Sequence, residues 1–85
     1  MHIQLRFFAG VREALGTASE SIDLPTHVVT VSDVRAFLCA RGGVWAESLS
    51  TKKSLRMAYD QVMTDADTVI EEGGEVAFFP PVTGG

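Results

Sequence analysis

Thr30-Val31-Ser32-Asp33-Val34-Arg35-Ala36-Phe37-Leu38-Cys39-Ala40-Arg41-Gly42-Gly43 is the stretch on which the fold turns. Val31, Val34, Phe37, Leu38 and Arg41 recur at spacings of three and four, the period of a helix with one face turned to a core. Thr30 supplies a hydroxyl that can satisfy an early helical N–H. Asp33, three residues on, can answer it as the second half of a capping box. Gly42-Gly43 ends the helix. An amphipathic helix cannot bury its stripe on itself, so this one requires a sheet to cover.

The flanking sequence supplies that sheet. Ile3-Gln4-Leu5-Arg6-Phe7 alternates strictly, which puts Ile3, Leu5 and Phe7 on one face of a strand. Phe8 falls on the side of Gln4 and Arg6, so either that side is also covered at its end or Phe8 begins a contact surface. Val11 and Leu15 lie four apart, as on a short helix, and Gly16 stops it. Ser21-Ile22-Asp23-Leu24 resumes period two and ends at Pro25. The connection between these two strands is too long for a tight hairpin turn.

Beyond the main helix, Val44 to Ser50 adds a short helical turn with Trp45 and Leu49 facing the core. Leu55-Arg56-Met57-Ala58-Tyr59 alternates, Asp60-Gln61 turns, and Val62-Met63 returns as a short strand. Asp65 to Thr68 is loop before Val69-Ile70. Glu72-Gly73-Gly74 turns into the last strand, Glu75-Val76-Ala77-Phe78-Phe79. The order predicts an α+β domain, a small mixed sheet with its apolar face against the helix from Val31 to Arg41. A last strand lying beside the first would be central, which accounts for the phenylalanines of both.

Composition narrows the functional classes. A chain of 85 residues with 46% hydrophobic content can build one modest core but no large enclosed active site. Lys and Arg total 7 against 11 Asp and Glu, a net charge of -4, which suits neither nucleic acid nor an anionic membrane. Lys52-Lys53 with Arg56 is the nearest approach to a basic cluster and reads as a solvated turn. Acidic residues gather late, at Asp60, Asp65, Asp67, Glu71, Glu72 and Glu75; a solvated face and a surface for a basic partner both fit. No run approaches the roughly 20 apolar residues of a membrane span, and His2-Ile3-Gln4 does not open a secretory signal. A soluble cytoplasmic protein is the expectation.

Enzymatic constellations are poor. Cys39 is alone, so no intrachain disulfide can form, and its place in the helix beside Leu38 reads as core packing. His2 and His27 have no second ligand at useful spacing. Glu71, Glu72 and Glu75 fall where a turn enters a strand and read as solvated carboxylates. Tyr59 reads as a sheet residue with its hydroxyl at the edge. Gly42-Gly43 and Gly73-Gly74 lack the Lys and Ser or Thr of a phosphate loop. No cofactor or metal is expected to bind this chain.

What remains is the end of the sequence. Pro80-Pro81 cannot continue a sheet in the ordinary way, because proline has no N–H to donate, and two prolines hold the chain extended and stiff. Val82-Thr83-Gly84-Gly85 has too little apolar surface to fold back as another core element. From Pro81 to Gly85 the chain reaches at most about 17 Å. A frayed end has the same composition, but here proline stiffens the approach and two glycines come last. Residues without side chains can pass a narrow channel in a partner. The expected organisation is a domain over residues 1–81 and an exposed flexible tail over 82–85, delivering a carboxylate into another protein's active site.

Glu75-Val76-Ala77-Phe78-Phe79-Pro80-Pro81-Val82-Thr83-Gly84-Gly85 resembles the C-terminus of the small, sulfur-carrying subunits of molybdopterin synthase. Leu5-Arg6-Phe7-Phe8-Ala9-Gly10-Val11-Arg12-Glu13-Ala14-Leu15-Gly16 is similar to that family's first strand and helical turn. Thr30-Val31 with Val34-Arg35, and Ala58-Tyr59-Asp60-Gln61, fall at matching places. Asp60 stands where the family usually has Asn, and Gly74 where an Asp usually follows the turn glycine. Val44 to Ser54 matches nothing distinctive.

The resemblance implies a ubiquitin-like β-grasp fold and a role as half of a heteromeric sulfurtransferase, inactive alone. An activating enzyme related to ubiquitin-activating enzymes would use ATP to adenylate the Gly85 carboxylate, and a sulfur donor protein would convert it to a thiocarboxylate. Docked on the large catalytic subunit in a heterotetramer of two small and two large chains, the tail would thread Val82, Thr83, Gly84 and Gly85 into that subunit. Two such sulfurs turn cyclic pyranopterin monophosphate into the dithiolene of molybdopterin. Phe78, Phe79, Pro80, Pro81 and Val82, with Phe8, are the expected docking residues, although neighbours on a strand face opposite sides, so one of Phe78 and Phe79 belongs to the core. Glu71, Glu72 and Glu75 are candidates for meeting basic residues of the large subunit. Competing readings are a sulfur carrier for thiamine or tRNA thiolation, a ubiquitin-like protein modifier, and a plain binding module.

Overall fold

The computed structural model describes residues 1–81. Five strands form one mixed sheet: β1 (His2–Phe7), β2 (Ser19–Asp23), β3 (Arg56–Tyr59), β4 (Val62–Thr64) and β5 (Glu75–Phe79), in the order β2-β1-β5-β3-β4. Three helices accompany it, α1 (Ala9–Leu15), α2 (Val31–Cys39) and α3 (Gly43–Ser48). β5 lies between β1, its parallel partner, and β3, its antiparallel one, so the last strand is central, as the sequence led us to expect.

Strict alternation in β1 buries Ile3, Leu5 and Phe7 and exposes His2, Gln4 and Arg6. The parallel register sets Leu5 against Val76 and Phe7 against Phe78, and all four are essentially inaccessible to solvent. The Phe7 and Phe78 rings stack at 6.2 Å, and the Trp45 ring of α3 meets Phe7 edge-on at 5.6 Å. Val31, Val34 and Leu38 of α2 and Leu49, just past α3, complete this core. Burial at such positions is the main stabilising term in a small domain.

The capping box at α2 forms as the sequence predicts. Asp33 N–H donates to Thr30 Oγ1 at 3.1 Å, and Asp33 Oδ2 accepts from the N–H groups of Thr30 and Val29 at 3.2 and 3.0 Å. These bonds, the one from Val29 first, hold the Asp33 carboxyl below its ordinary pKa. The far end differs from expectation: the helix stops at Cys39, not Arg41. Arg41 N–H and Gly42 N–H bond back three residues, to Leu38 and Cys39, tightening the last turn, and Gly42 at φ 75° lets the chain leave. Cys39 is therefore the last helical residue and half-buried, its thiol 3.1 Å from the Leu49 carbonyl. Freed from the helix, Arg41 forks onto Glu20 of β2 and lies 4.4 Å over the Trp45 ring, tying α2 and α3 to the edge of the sheet.

Arg35 is a buried cation that the sequence reading did not single out. Its Nε donates to the Leu49 carbonyl at 2.7 Å, and its Nη2 donates to the carbonyls of Ser50 and Lys53, the latter at 2.8 Å. It sits four residues after Val31 and three before Leu38, inside the apolar stripe. A cation at such a position is the sequence signal that a buried polar partner exists. The partner is the backbone of the loop between α3 and β3, where the sequence is otherwise least informative. Among the described residues no helix is long and apolar enough to cross a membrane.

Candidate functional site

The central strand leads to the site. Residues of β5 alternate, so Val76 and Phe78 face the helices while Glu75, Ala77 and Phe79 face the other side of the sheet. Phe78 is 0% exposed. It is therefore the core member of the adjacent pair, and it leaves the set of candidate docking residues. Phe79 is half-buried on the opposite face, where its ring stacks on that of Phe8 with centroids 4.6 Å apart and planes within 5°. Phe8 is thus half-buried against Phe79, and its side of the sheet is covered at the end of β1, one of the two outcomes its break in alternation allowed.

Two features hold the Phe8 ring there. Phe8 N–H donates to the Phe78 carbonyl at 3.2 Å, extending the β1–β5 pairing by one residue. The Arg6 guanidinium lies 5.5 Å above the ring, and Arg6 in turn is 3.7 Å from Glu75 of β5. Ala9 follows at φ 50°, an uncommon conformation for a residue with a side chain, and turns the chain into α1.

Pro80 is half-buried and Pro81 exposed, and together they form a ridge between two open grooves. On the side of the stacked rings, Phe8, Ala9, Phe79, Met63 and Arg56 line a mainly apolar groove of about 430 Å³ with the prolines. On the other side, Gly10, Val11 and Ala14 of α1 face Ser48 and residues 53–55 across a groove of about 520 Å³. The wall of that second groove is the loop whose carbonyls Arg35 holds. Met63, 54% exposed, and Val62, 67% exposed, extend the apolar surface along β4.

The other residues considered from sequence do not assemble into a catalytic site. Among the described residues no three His, Cys, Asp or Glu side chains are placed to hold a metal ion. His2 pairs with Asp23 at 2.7 Å on the surface. The carboxylates of Glu72 and Glu75 are not merely solvated, while that of Glu71 is exposed. The Glu72 carboxylate accepts from His2 N–H, Glu75 faces Arg6, and the Glu71 N–H donates to the Tyr59 hydroxyl. Val82, Thr83, Gly84 and Gly85 lie outside the described residues.

The sequence matches the ThiS family over residues 5–85. It is 40% identical over 83 residues to the molybdopterin synthase sulfur carrier subunit of Escherichia coli strain K12, covering 98% of this chain and 99% of that protein. The corresponding subunit of Haemophilus influenzae is 37% identical with the same coverage. SAMP1 from Haloferax volcanii shares the fold with a TM-score of 0.76 over the whole of both chains, at 20% identity. Subunit 1 or 2 in the protein-protein complex of the molybdopterin-converting factor from Helicobacter pylori 26695 is similar at a TM-score of 0.67 and 21% identity, again over all of both chains.

Proposed function

The chain belongs to the ThiS family of ubiquitin-like β-grasp proteins, and from that premise we propose that it is the sulfur-carrier subunit of a molybdopterin synthase. The observation that carries this reading is its similarity to molybdopterin synthase sulfur carrier subunits along 98% of its length and 99% of theirs. The fold is what that work requires: a rigid body whose central strand runs into a proline ridge at an apolar surface. The chain is the non-catalytic half of the complex and acts only with a second, catalytic subunit.

In this proposal residues 1–81 are the docking body and 82–85 the delivered tail. A free carboxylate is a poor acyl donor. Attack of the Gly85 carboxylate oxygen on the α-phosphorus of ATP, in the site of an adenylating partner, expels pyrophosphate and gives an acyl adenylate. Hydrosulfide released by a sulfur donor protein then attacks the acyl carbon, the bond to AMP breaks, and Gly85 holds a thiocarboxylate. Gly84 keeps the approach slim enough for a channel, with Val82 and Thr83 behind it. Phe8, Phe79, Pro80 and Pro81 dock on the large subunit, two small chains to two large, and the sulfur passes to the pterin there. A cytoplasmic location belongs to the same proposal.

Incubation with the cognate activating enzyme, ATP and a sulfur source raises the intact mass by about 16 Da, the replacement of oxygen by sulfur. Absence of the adduct sinks the carrier reading. Deleting Gly85 abolishes sulfur transfer without unfolding the chain; retained transfer would remove the terminal carboxylate from the chemistry. Carriers for thiamine or tRNA thiolation would gain the same mass, so formation of molybdopterin from the cyclic precursor with the large subunit separates them.

A further inference from the structure

The chain has seven Lys and Arg residues, and three are committed internally: Arg35 to backbone carbonyls, Arg41 to Glu20, and Arg6 to Glu75. Arg12, Lys52 and Lys53 do not line the groove of the stacked rings; Lys53 lines the other one. Arg56 does line it. Its backbone pairs with Phe79 across β3 and β5, its side chain is exposed, and among the described residues it forms no ion pair. Asp65 shares a neighbouring depression with Arg56 but does not pair with it.

A guanidinium at the lip of an apolar groove is stable while water reaches it. A partner that fills the groove removes part of that water, and an unpaired cation left in the interface is costly. A carboxylate set opposite Arg56 offsets the loss and, with guanidinium, offers two-pronged hydrogen bonding. The rest of the chain is acidic, so this local positive charge also discriminates among partners.

We propose that Arg56 is the specificity-determining cation of the docking face, pairing with an Asp or Glu that the synthase large subunit places beside the apolar side chain filling the groove between Phe79, Met63 and Pro81. The proposal rests on the sulfur-carrier reading. Its test is the affinity of the full chain for the large subunit of molybdopterin synthase from the same organism, measured by calorimetry at low salt and at about 0.5 M salt. Arg56→Glu is expected to bind at least about tenfold more weakly at low salt, with the gap narrowing at high salt. Arg56→Leu is expected to lose several-fold and to show a flatter salt dependence than the wild type. Unfolding midpoints serve as the control, since the side chain is exposed. Wild-type affinity in Arg56→Glu at low salt, or tighter binding by Arg56→Leu, overturns the proposal while leaving the carrier reading intact. A wild-type chain that neither binds the large subunit nor accepts sulfur overturns both.

Discussion

The Tyr59 phenol occupies the space where a side chain at residue 74 would begin: a Cβ placed on Gly74 would lie 2.5 Å from the Tyr59 hydroxyl and 2.6 Å from ring carbon Cε1. That hydroxyl accepts from Glu71 N–H at 2.7 Å, so the ring bridges β3 and the turn before β5. The tyrosine is a physical reason for residue 74 to be glycine. Gly74→Ala is expected to destabilise the fold by about 1–3 kcal/mol through overpacking against backbone-anchored atoms. In a double-mutant cycle followed by urea unfolding, Tyr59→Val should remove most of that penalty. Additive effects of the two substitutions would show that the clash is absorbed elsewhere.

Asp60 suits its turn for a different reason. Asp60 and Gln61 have φ of 48° and 69°, as the two central residues of a type I′ hairpin turn require. Asp60 Oδ1 also accepts from Glu75 N–H at 2.9 Å, anchoring the turn to the central strand. Asn keeps both the acceptor and the tolerance of positive φ, so Asp60→Asn should change stability by less than about 0.5 kcal/mol. Asp60→Ala loses both and should cost about 1–2 kcal/mol. Gln61→Gly should stabilise slightly. Thermal unfolding of the three variants checks the set.

Arg35 predicts a larger loss. Burial pushes its guanidinium below the ordinary arginine pKa, and its bonds to Leu49, Ser50 and Lys53 carbonyls offset the desolvation. Arg35→Met keeps much of the volume but removes the guanidinium from three carbonyls, leaving each only its local donor: the Cys39 thiol on Leu49, Lys53 N–H on Ser50 and Leu55 N–H on Lys53. A loss of about 2–4 kcal/mol is expected, with hydrogen exchange accelerated first in residues 49–55. Unchanged exchange in that loop would mean the carbonyls find other partners.

The elements and their buried faces could be read from the sequence because patterning is local: alternation in Ile3–Phe7 and Glu75–Phe79, and the three-and-four spacing from Val31, each declare an element and the face it buries. The helix end could not, since Arg41 keeps the stripe's spacing while its side chain is drawn to Glu20, a residue far away in sequence. The same limit hid Arg35, whose partners lie 14 to 18 residues downstream, and the Tyr59–Gly74 contact. For the site, Pro80-Pro81 and the terminal glycines are legible as composition. The groove is not, because Phe8, Arg56, Met63 and Phe79 come from four segments that only the sheet register brings together.

Acid sensitivity should trace to two carboxylates. The hydrogen bond from Arg41 holds Glu20 below its ordinary pKa, and backbone N–H donors hold Asp33 below its own. A carboxyl depressed in the folded state contributes stability above its unfolded pKa, of about 4, and that contribution is lost as pH falls through the folded value. The unfolding midpoint should therefore be flat with respect to these groups above about pH 5 and fall below it. Glu20→Gln and Asp33→Asn should each make the acid limb shallower. An acid limb as steep in the double variant as in the wild type would assign the sensitivity to other carboxylates.

The neighbours Phe78 and Phe79 give the sharpest separation of folding from function. Phe78 is fully buried against Phe7 at the middle of the sheet, and Phe78→Ala should cost about 3–5 kcal/mol, much of what a domain of this size has. Phe79 lies on the other face with only the Phe8 ring stacked on it. Phe79→Ala should cost less than half as much stability, because it loses one aromatic pair and partial burial and leaves no closed cavity. Its effect should instead fall on association with the large subunit, by about tenfold or more if the stacked pair is the centre of the docking surface. Phe8→Ala should behave alike, and the two should be strongly non-additive for binding, since removing either ring disorders the other. Two independent, additive losses would show that the rings contact the partner separately and that their stacking is incidental to docking.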